Sequence, residues 1–96
     1  MMLEITTRAA AFIDEARTQR QLPEHYGIRI FGGAQANGQG RVQMGFSERP
    51  LAGDDITEAE GTRLFVAPEV TPVIDGLVLD VQEDGERVGL VLRKDT

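Results

Sequence analysis

Cysteine and tryptophan are both absent from this sequence of 96 residues. Without cysteine, the chain can form no disulfide, no zinc finger, no thiolate nucleophile and no cysteine-ligated iron–sulfur cluster. Histidine occurs once, at His25, so few groups are available for acid–base catalysis or for metal binding through imidazole. Absences therefore restrict the function classes more than any residue that is present.

Basic residues and long apolar runs are also scarce. The chain has 10 Lys and Arg against 16 Asp and Glu, a net charge of −6, which disfavours nucleic-acid binding because phosphate contacts need clustered cations. No run of roughly 18 apolar residues could span a membrane, and the acidic N-terminal stretch shows no export signal. We therefore expect a cytoplasmic protein that binds neither nucleic acid nor membranes.

The length and composition predict one globular domain over residues 1–96. Two domains of about 50 residues would each bury too little surface to be stable alone. Hydrophobic residues make up 41% of the chain and charged residues 27%, a balance that argues against disorder. With one Tyr and four Phe, the core has to be mainly aliphatic.

The N-terminal residues predict a short strand followed by a long helix. Leu3–Thr6 alternates apolar and polar residues, as a half-buried strand does. Thr6 or Thr7 can then accept from the free amides of the first helical turn. The helix is expected from about Thr7 to Gln19 or Arg20, with one apolar stripe made of Ala9, Phe12, Ile13 and Ala16.

The rest of the chain predicts short strands and one short helix. Two strand-like runs, Gly27–Phe31 and Arg41–Phe46, flank the glycine-rich segment Gly32–Gly40 and read as a hairpin. Further strands are predicted over 56–61, 63–67, 77–81 and 88–92, the last two joined by an acidic turn containing Asp84-Gly85. The short helix is expected to begin with Thr71 as its cap and to end at Gly76. This pattern is typical of an α+β domain rich in antiparallel sheet.

The glycine-rich segment Gly32–Gly40 has two interpretations. Backbone amides in a glycine-rich turn can bind a phosphate or another anion. However, no Lys-Ser/Thr pair follows, as a P-loop requires, and no helix is predicted to begin after the segment, as a dinucleotide site requires. A hairpin connection and an anion site both remain open, and the pattern favours the connection.

The acidic residues permit a cation site but fit no known ligand pattern. Asp54 and Asp55, with Glu58 and Glu60 nearby, offer oxygen ligands without the spacing of a calcium loop. We therefore interpret them as a solvated acidic connection, and the same interpretation applies to the later turn that contains Glu83, Asp84 and Glu86.

The sequence also predicts no catalytic residues. His25 lies in a polar linker beside Tyr26 and is interpreted as an exposed or loop-packing side chain. The hydroxyl residues show no His–acid partnership of the kind that activates a nucleophile (Ser47, Thr57, Thr62 and Thr71). The four phenylalanines follow the predicted inward pattern and are expected in the core (Phe12, Phe31, Phe46 and Phe65).

Three stretches of the chain, in this order, resemble successive parts of one known protein family. LEITTRAAAFIDEA resembles its opening strand and helix. GIRIF, the glycine-rich segment and RVQMGF resemble its strand, ligand loop and returning strand. DDITEAEGTRLFVAPEVTPVIDGLVLDVQED resembles its middle section. Over nearly the whole chain, the sequence thus resembles the HesB-like, or IscA-type, family of iron–sulfur cluster biogenesis proteins. The resemblance implies an α+β HesB-like domain, with mostly antiparallel strands in a sandwich-like arrangement, one long N-terminal helix and one short helix.

The same resemblance implies that the ligand residues of the family are missing. The family carries one cysteine in the glycine-rich loop and two in a C-terminal Cys-Gly-Cys motif, and these bind iron or a cluster between subunits. In a gap-free alignment the loop cysteine falls at about Asn37, followed by Gly38, with Gly33 in the same degenerate loop. The printed sequence ends at GLVLRKDT, before any counterpart of the second motif.

These observations lead to a hypothesis of a non-catalytic HesB/IscA-like protein related to iron–sulfur cluster assembly. It would hold no cofactor or metal and would act by binding a protein partner. The alternative is a small-anion or cofactor binding module that uses residues 32–40. The sequence leaves the oligomeric state open, a dimer included.

Overall fold

A computed structural model describes residues 3–32 and 42–94. Seven strands and two helices occur in these two ranges. They are, in chain order, β1 (Glu4–Ile5), α1 (Thr7–Gln19), β2 (Gly27–Gly32), β3 (Val42–Ser47), β4 (Asp55–Ala59), β5 (Thr62–Val66), α2 (Thr71–Ile74), β6 (Leu77–Asp84) and β7 (Arg87–Lys94).

The described strands form two sheets. One has four strands in the order β3-β2-β5-β4, and the other has three in the order β1-β6-β7. The pairs β2–β3, β4–β5 and β6–β7 are antiparallel, whereas β2–β5 and β1–β6 are parallel. The predicted α+β class with mostly antiparallel strands is therefore confirmed. The two parallel pairs were not predicted.

Both sheets and the long helix contribute to one apolar core. The inward faces of β2 and β5 meet through Ile28 and Ile30 beside Leu64 and Val66, all of them buried. The second sheet adds Ile5 and Leu79, and α1 adds Ala9, Ala10 and Ile13. Each large aliphatic side chain in this core stabilises the fold by roughly 2 kcal/mol. The helix and the two sheets therefore share one interior, as the sandwich-like prediction requires.

Helix α1 begins where the sequence predicts. The Thr6 hydroxyl oxygen accepts a hydrogen bond from the amide of Ala9 at 3.1 Å, which satisfies one of the free donors of the first turn. The buried side of the helix differs slightly from the predicted stripe. Ala10 is buried in addition to Ala9 and Ile13, and Phe12 and Ala16 lie half-buried at its edge.

Three sequence-based details need correction. The cap of α2 is Val70 rather than Thr71, because Thr71 is already the first helical residue, and the Thr71 hydroxyl donates to the carbonyl oxygen of Ala67 at 3.3 Å. The β6–β7 hairpin is longer than predicted, since its strands reach Asp84 and Arg87 and leave a two-residue turn. Of the four phenylalanines, Phe65 is buried and the other three are half-buried.

Neither helix in the described ranges has the length and hydropathy that crossing a membrane would need.

Candidate functional site

The residues predicted for the degenerate ligand loop, Gly33, Asn37 and Gly38, lie outside the described residues. The structure does describe both ends of this segment. Gly32 and Val42 form the last pair of the β2–β3 hairpin. The predicted hairpin is therefore confirmed, and its register sets the ends of the glycine-rich segment opposite each other.

A carboxylate lies at the start of the glycine-rich segment. The backbone amide of Gly32 donates to Glu69 Oε2 at 3.2 Å, and Glu69 belongs to the connection between β5 and α2. A Cβ at position 32 would lie 3.2 Å from Glu69 Cγ, closer than most such contacts. The first amide of the segment is thus already bonded to an anion of the chain, and this negative charge opposes binding of a second anion there.

Arg29 and Asp54 form a two-pronged ion pair on the outer face of the four-stranded sheet. Arg29 Nε lies 2.9 Å from Asp54 Oδ2, and Arg29 Nη2 lies 3.0 Å from Oδ1. The same carboxylate accepts from the amide of Leu51 at 2.8 Å. These bonds, the one from Arg29 first, lower the pKa of Asp54, and the bond to Asp54 raises the pKa of Arg29.

The interpretation of Asp54 as part of a solvated connection was therefore wrong. Its side chain is completely buried, and that of Arg29 is 18% exposed. Asp55, the next residue, is exposed as predicted. The polar composition around Asp54 gave no indication that its side chain pairs with Arg29.

The chain topology explains why Asp54 is buried. Residues 48–54 join β3 and β4, which are the opposite edges of one sheet, so this connection has to cross β2 and β5. The ion pair with Arg29 shows that it crosses on the outer face, where Phe65 is also buried. On the same face, Gly27 lets β2 lie close to β5, because a Cβ there would lie 2.7 Å from the carbonyl oxygen of Arg63 and 2.9 Å from the Phe65 ring.

A second polar cluster joins the start of α1 to the three-stranded sheet. The Thr6 hydroxyl donates to Asp80 Oδ1 at 2.7 Å, the amide of Val81 donates to the same oxygen at 2.8 Å, and Arg93 Nε donates to Oδ2 at 3.0 Å. These bonds, the one from Thr6 first, lower the pKa of Asp80 to about 2. Sequence reasoning missed this cluster, because no local pattern links residues 6, 80 and 93.

His25 lies beside a polar groove of about 730 Å³ between α1 and the turn that joins β4 to β5. Its ring is half-exposed, with Nε2 3.7 Å from Glu48 Oε1 and the ring centroid 5.2 Å from that of Tyr26. On the groove wall, Glu58 meets Arg63 at 3.7 Å. These side chains form no arrangement in which a base activates a nucleophile.

The remaining acidic candidates do not converge. Glu60, Glu83, Asp84 and Glu86 are exposed, and Glu83 lies 3.9 Å from Arg8 across the surface. Within residues 3–32 and 42–94, no group of three or more His, Asp or Glu side chains is placed to hold a metal ion.

Comparison with known proteins gives a consistent result for the fold. No protein-family model matches the chain, and no curated protein matches it in sequence. Among solved structures, the chain resembles IscA with a [2Fe–2S] cluster at a TM-score of 0.80 and 21% identity, over 97% of this chain and 85% of IscA.

Two further structures agree. Escherichia coli SufA, which is involved in biosynthesis of iron–sulfur clusters, gives a TM-score of 0.77 and 24% identity over 96% of this chain and 79% of SufA. A protein from Aquifex aeolicus gives a TM-score of 0.76 and 22% identity over 99% of this chain and 93% of that protein. Identities this low establish the fold alone. The resemblance predicted from sequence is confirmed at that level: this cysteine-free chain has the fold of IscA and SufA.

Proposed function

We propose that this chain is a non-catalytic, cytoplasmic protein that keeps the IscA-type scaffold and binds a protein partner in iron–sulfur cluster assembly, without ligating a cluster through cysteine. One observation carries the proposal. A likeness that covers 96–99% of the chain coexists with a complete absence of cysteine. The scaffold is preserved throughout while its thiolate chemistry is missing.

The residues that remain are poor substitutes for thiolates. By resemblance, Asn37 takes the place of the loop cysteine, with Gly33 and Gly38 as remnants of the loop. A neutral, hard amide is a weak ligand for iron in a sulfide-rich cluster. Nor do the described carboxylates gather into a site. A role through surface contacts is the one that this scaffold still supports.

The ligand part of the proposal is tested by reconstitution. Purified protein is incubated anaerobically with ferrous iron and sulfide, desalted, and measured for visible absorbance, bound iron and bound sulfide. IscA treated in the same way is the positive control, since it holds a [2Fe–2S] cluster. We expect IscA to retain the cluster and this chain to retain neither iron nor sulfide. Stable cluster absorbance from this chain would refute the ligand part.

The partner part is tested by co-purification from the native cells, scored by mass spectrometry for proteins of cluster assembly. Recovery of these proteins above the level seen with an unrelated acidic protein is the expected result. Their absence, with the bait shown to be folded, would remove the partner part.

Anion binding by residues 32–40 is the second candidate, and it has less support. Glu69 already accepts from the amide of Gly32, so an incoming phosphate would meet a carboxylate. Titration of isotope-labelled protein with inorganic phosphate, ATP and citrate distinguishes the candidates. We expect no shift of the Gly32 and Val42 amides. Saturable shifts confined to residues 32–42 would favour the anion site.

A further inference from the structure

The polar groove beside His25 is large enough to hold a small molecule. One wall is the face of α1 between Thr7 and Arg17, a length of about 15 Å at 1.5 Å per residue. The facing wall contains residues 24–26 and the turn around Gly61. The volume of about 730 Å³ lies within the range of small-molecule sites. The groove therefore suits an extended ligand that lies along the helix.

The groove carries negative charge that the chain does not compensate. Glu24 and Glu60 line it and are exposed, and neither has a basic partner among the described residues. His25 faces Glu48, which lies outside the walls. Two arginines of the walls each pair with a carboxylate of the walls, at nitrogen–oxygen distances of 2.8 Å and 3.7 Å (Arg17 with Asp14 and Arg63 with Glu58). The excess charge favours a cationic ligand over an anion.

A recessed hydroxyl faces the same groove. Thr62 is only 8% exposed, and it lies on the inner face of β5 with Leu64, toward α1. It lines the groove, and its hydroxyl has no hydrogen-bond partner among the described residues. Because no fully buried side-chain oxygen in the described ranges lacks a partner, this hydroxyl is reached from the groove. It is an acceptor for which the described chain supplies no donor.

The walls favour an organic ammonium group over a bare metal ion. Within the two described ranges, no group of three or more His, Asp or Glu side chains is placed to hold a metal. The helix wall contributes Ala10, Ala11 and Ile13, and Tyr26 adds a half-buried aromatic ring. Methylene groups can pack against such a wall, and an aromatic face attracts an ammonium group. An ammonium group has three donors and no acceptor, which matches carboxylates and the oxygen of Thr62.

We propose that this groove binds a linear aliphatic polyamine. One ammonium group would donate to the Thr62 hydroxyl oxygen and approach Glu60, which lies in the turn that precedes Thr62. A second ammonium group would approach Glu24, with the methylene chain between them against Ala10 and Ala11. This ligand site goes beyond the proposed function and does not depend on it.

The test is an NMR titration near neutral pH, with spermidine as the probe. One control is hexaamminecobalt(III), a compact cation of the same charge without a carbon chain. The other is N-acetyl-lysine methylamide, which has a single ammonium group. We expect spermidine to cause saturable shifts of amides in residues 7–17, 24–26 and 58–63, with binding that weakens as salt is raised. Both controls should bind roughly tenfold more weakly.

Three results of this titration would overturn the inference. Equal binding of hexaamminecobalt(III) would show that the acidic surface attracts any cation. Equal binding of the lysine derivative would assign the groove to a side chain of a protein rather than to a polyamine. The third is the absence of saturable shifts at millimolar spermidine.

Charge removal supplies the matched comparison. E24Q/E60Q removes the two carboxylates without basic partners, and E83Q/E86Q removes two exposed carboxylates near the β6–β7 turn, outside the groove. The two variants have the same net charge. We expect E24Q/E60Q to bind spermidine roughly tenfold more weakly than the wild type, and E83Q/E86Q to bind it about as the wild type does. Equal losses in the two variants would contradict a site in the groove.

Thr62 tests the site independently of charge. T62V has nearly the same shape without the hydroxyl, so it should bind spermidine roughly fivefold more weakly, the effect of about one hydrogen bond. T62S keeps the hydroxyl and should bind like the wild type. Amide spectra verify that each variant is folded, and E24Q/E60Q, which alters only exposed side chains, tests the site if T62V does not fold. Wild-type affinity in folded T62V would refute the inference.

Discussion

The side chain of Asp54 is buried and ion-paired with Arg29 on the outer face of the four-stranded sheet. Its carboxylate joins the crossing connection, residues 48–54, to the centre of the sheet through Arg29. The pair is mostly buried and its hydrogen bonds are charged, so removal of one partner leaves the other without compensation. The ion pair therefore fixes the path of this connection over the outer face.

Replacement of Asp54 by alanine tests this role. We expect D54A to lower the free energy of unfolding by about 2 kcal/mol, since hydrogen bonds to charged groups contribute on that order. D55A removes the exposed neighbouring carboxylate and should change stability by less than about 0.5 kcal/mol. Urea denaturation followed by circular dichroism measures both. Equal effects of the two substitutions would contradict the assignment.

Asp80 gives the fold a dependence on pH. Its pKa of about 2 lies below the ordinary value of 3.8, because the folded state stabilises the ionised carboxylate. Its contribution is therefore fully present above pH 3.8 and is lost as the pH falls through about 2.

The variant D80N isolates this contribution. We expect D80N to melt below the wild type near neutral pH, and the difference between their melting temperatures to shrink as the pH falls from about 4 to about 2. Thermal unfolding at a series of pH values measures this difference. A difference that is independent of pH would show that Asp80 acts only through packing or shape.

At the scale of the element, β2 depends on a close approach at its first residue. Gly27 has no room for a side chain, since a Cβ would contact both the backbone of Arg63 and the Phe65 ring. The alanine substitution must displace the backbone of β5 or the buried Phe65 ring. Overpacking of this kind costs about 1–3 kcal/mol.

Gly45 supplies the matched control for this element. It lies in β3, next to β2 in the same sheet, and a Cβ there would meet nothing within 4 Å. G27A should therefore unfold at lower urea concentration than the wild type, whereas G45A should remain close to it. If G45A were destabilised as much as G27A, the close approach at Gly27 would not explain the effect.

Most helices and strands could be predicted from the sequence, whereas their arrangement in the two sheets could not. Thr6 as a cap and the period of α1 are local signals, and they predicted the helix correctly. The parallel strands pair residues that are distant in sequence, Glu4 with Val78 and Ile28 with Leu64. Hairpin signals indicate only antiparallel neighbours, so they could not predict these pairs. The burial of Asp54 was not predicted, because composition gives the polarity of a segment but not the part of the sheet that the segment crosses. The predicted loop residues lie outside the described ranges, so that prediction stays open.

At the scale of the whole molecule, the two sheets, α1 and their shared core match IscA and SufA in fold. The sequence contains no cysteine, so this chain has no thiolate to offer a metal. The chain carries a net charge of −6, and the edges of the two described sheets are β3 and β4 in one and β1 and β7 in the other. Protein recognition through this surface is the function that we propose.

Quantitative co-purification is the most direct test of whether this chain binds proteins of iron–sulfur cluster assembly. The tagged chain, tagged IscA and an unrelated acidic protein of similar size are expressed at equal levels in the native cells, cross-linked and purified in parallel. We expect proteins of iron–sulfur cluster assembly to be enriched with this chain and with IscA over the unrelated protein, and we expect this chain to carry no iron. Enrichment with IscA alone would refute the proposed partner binding.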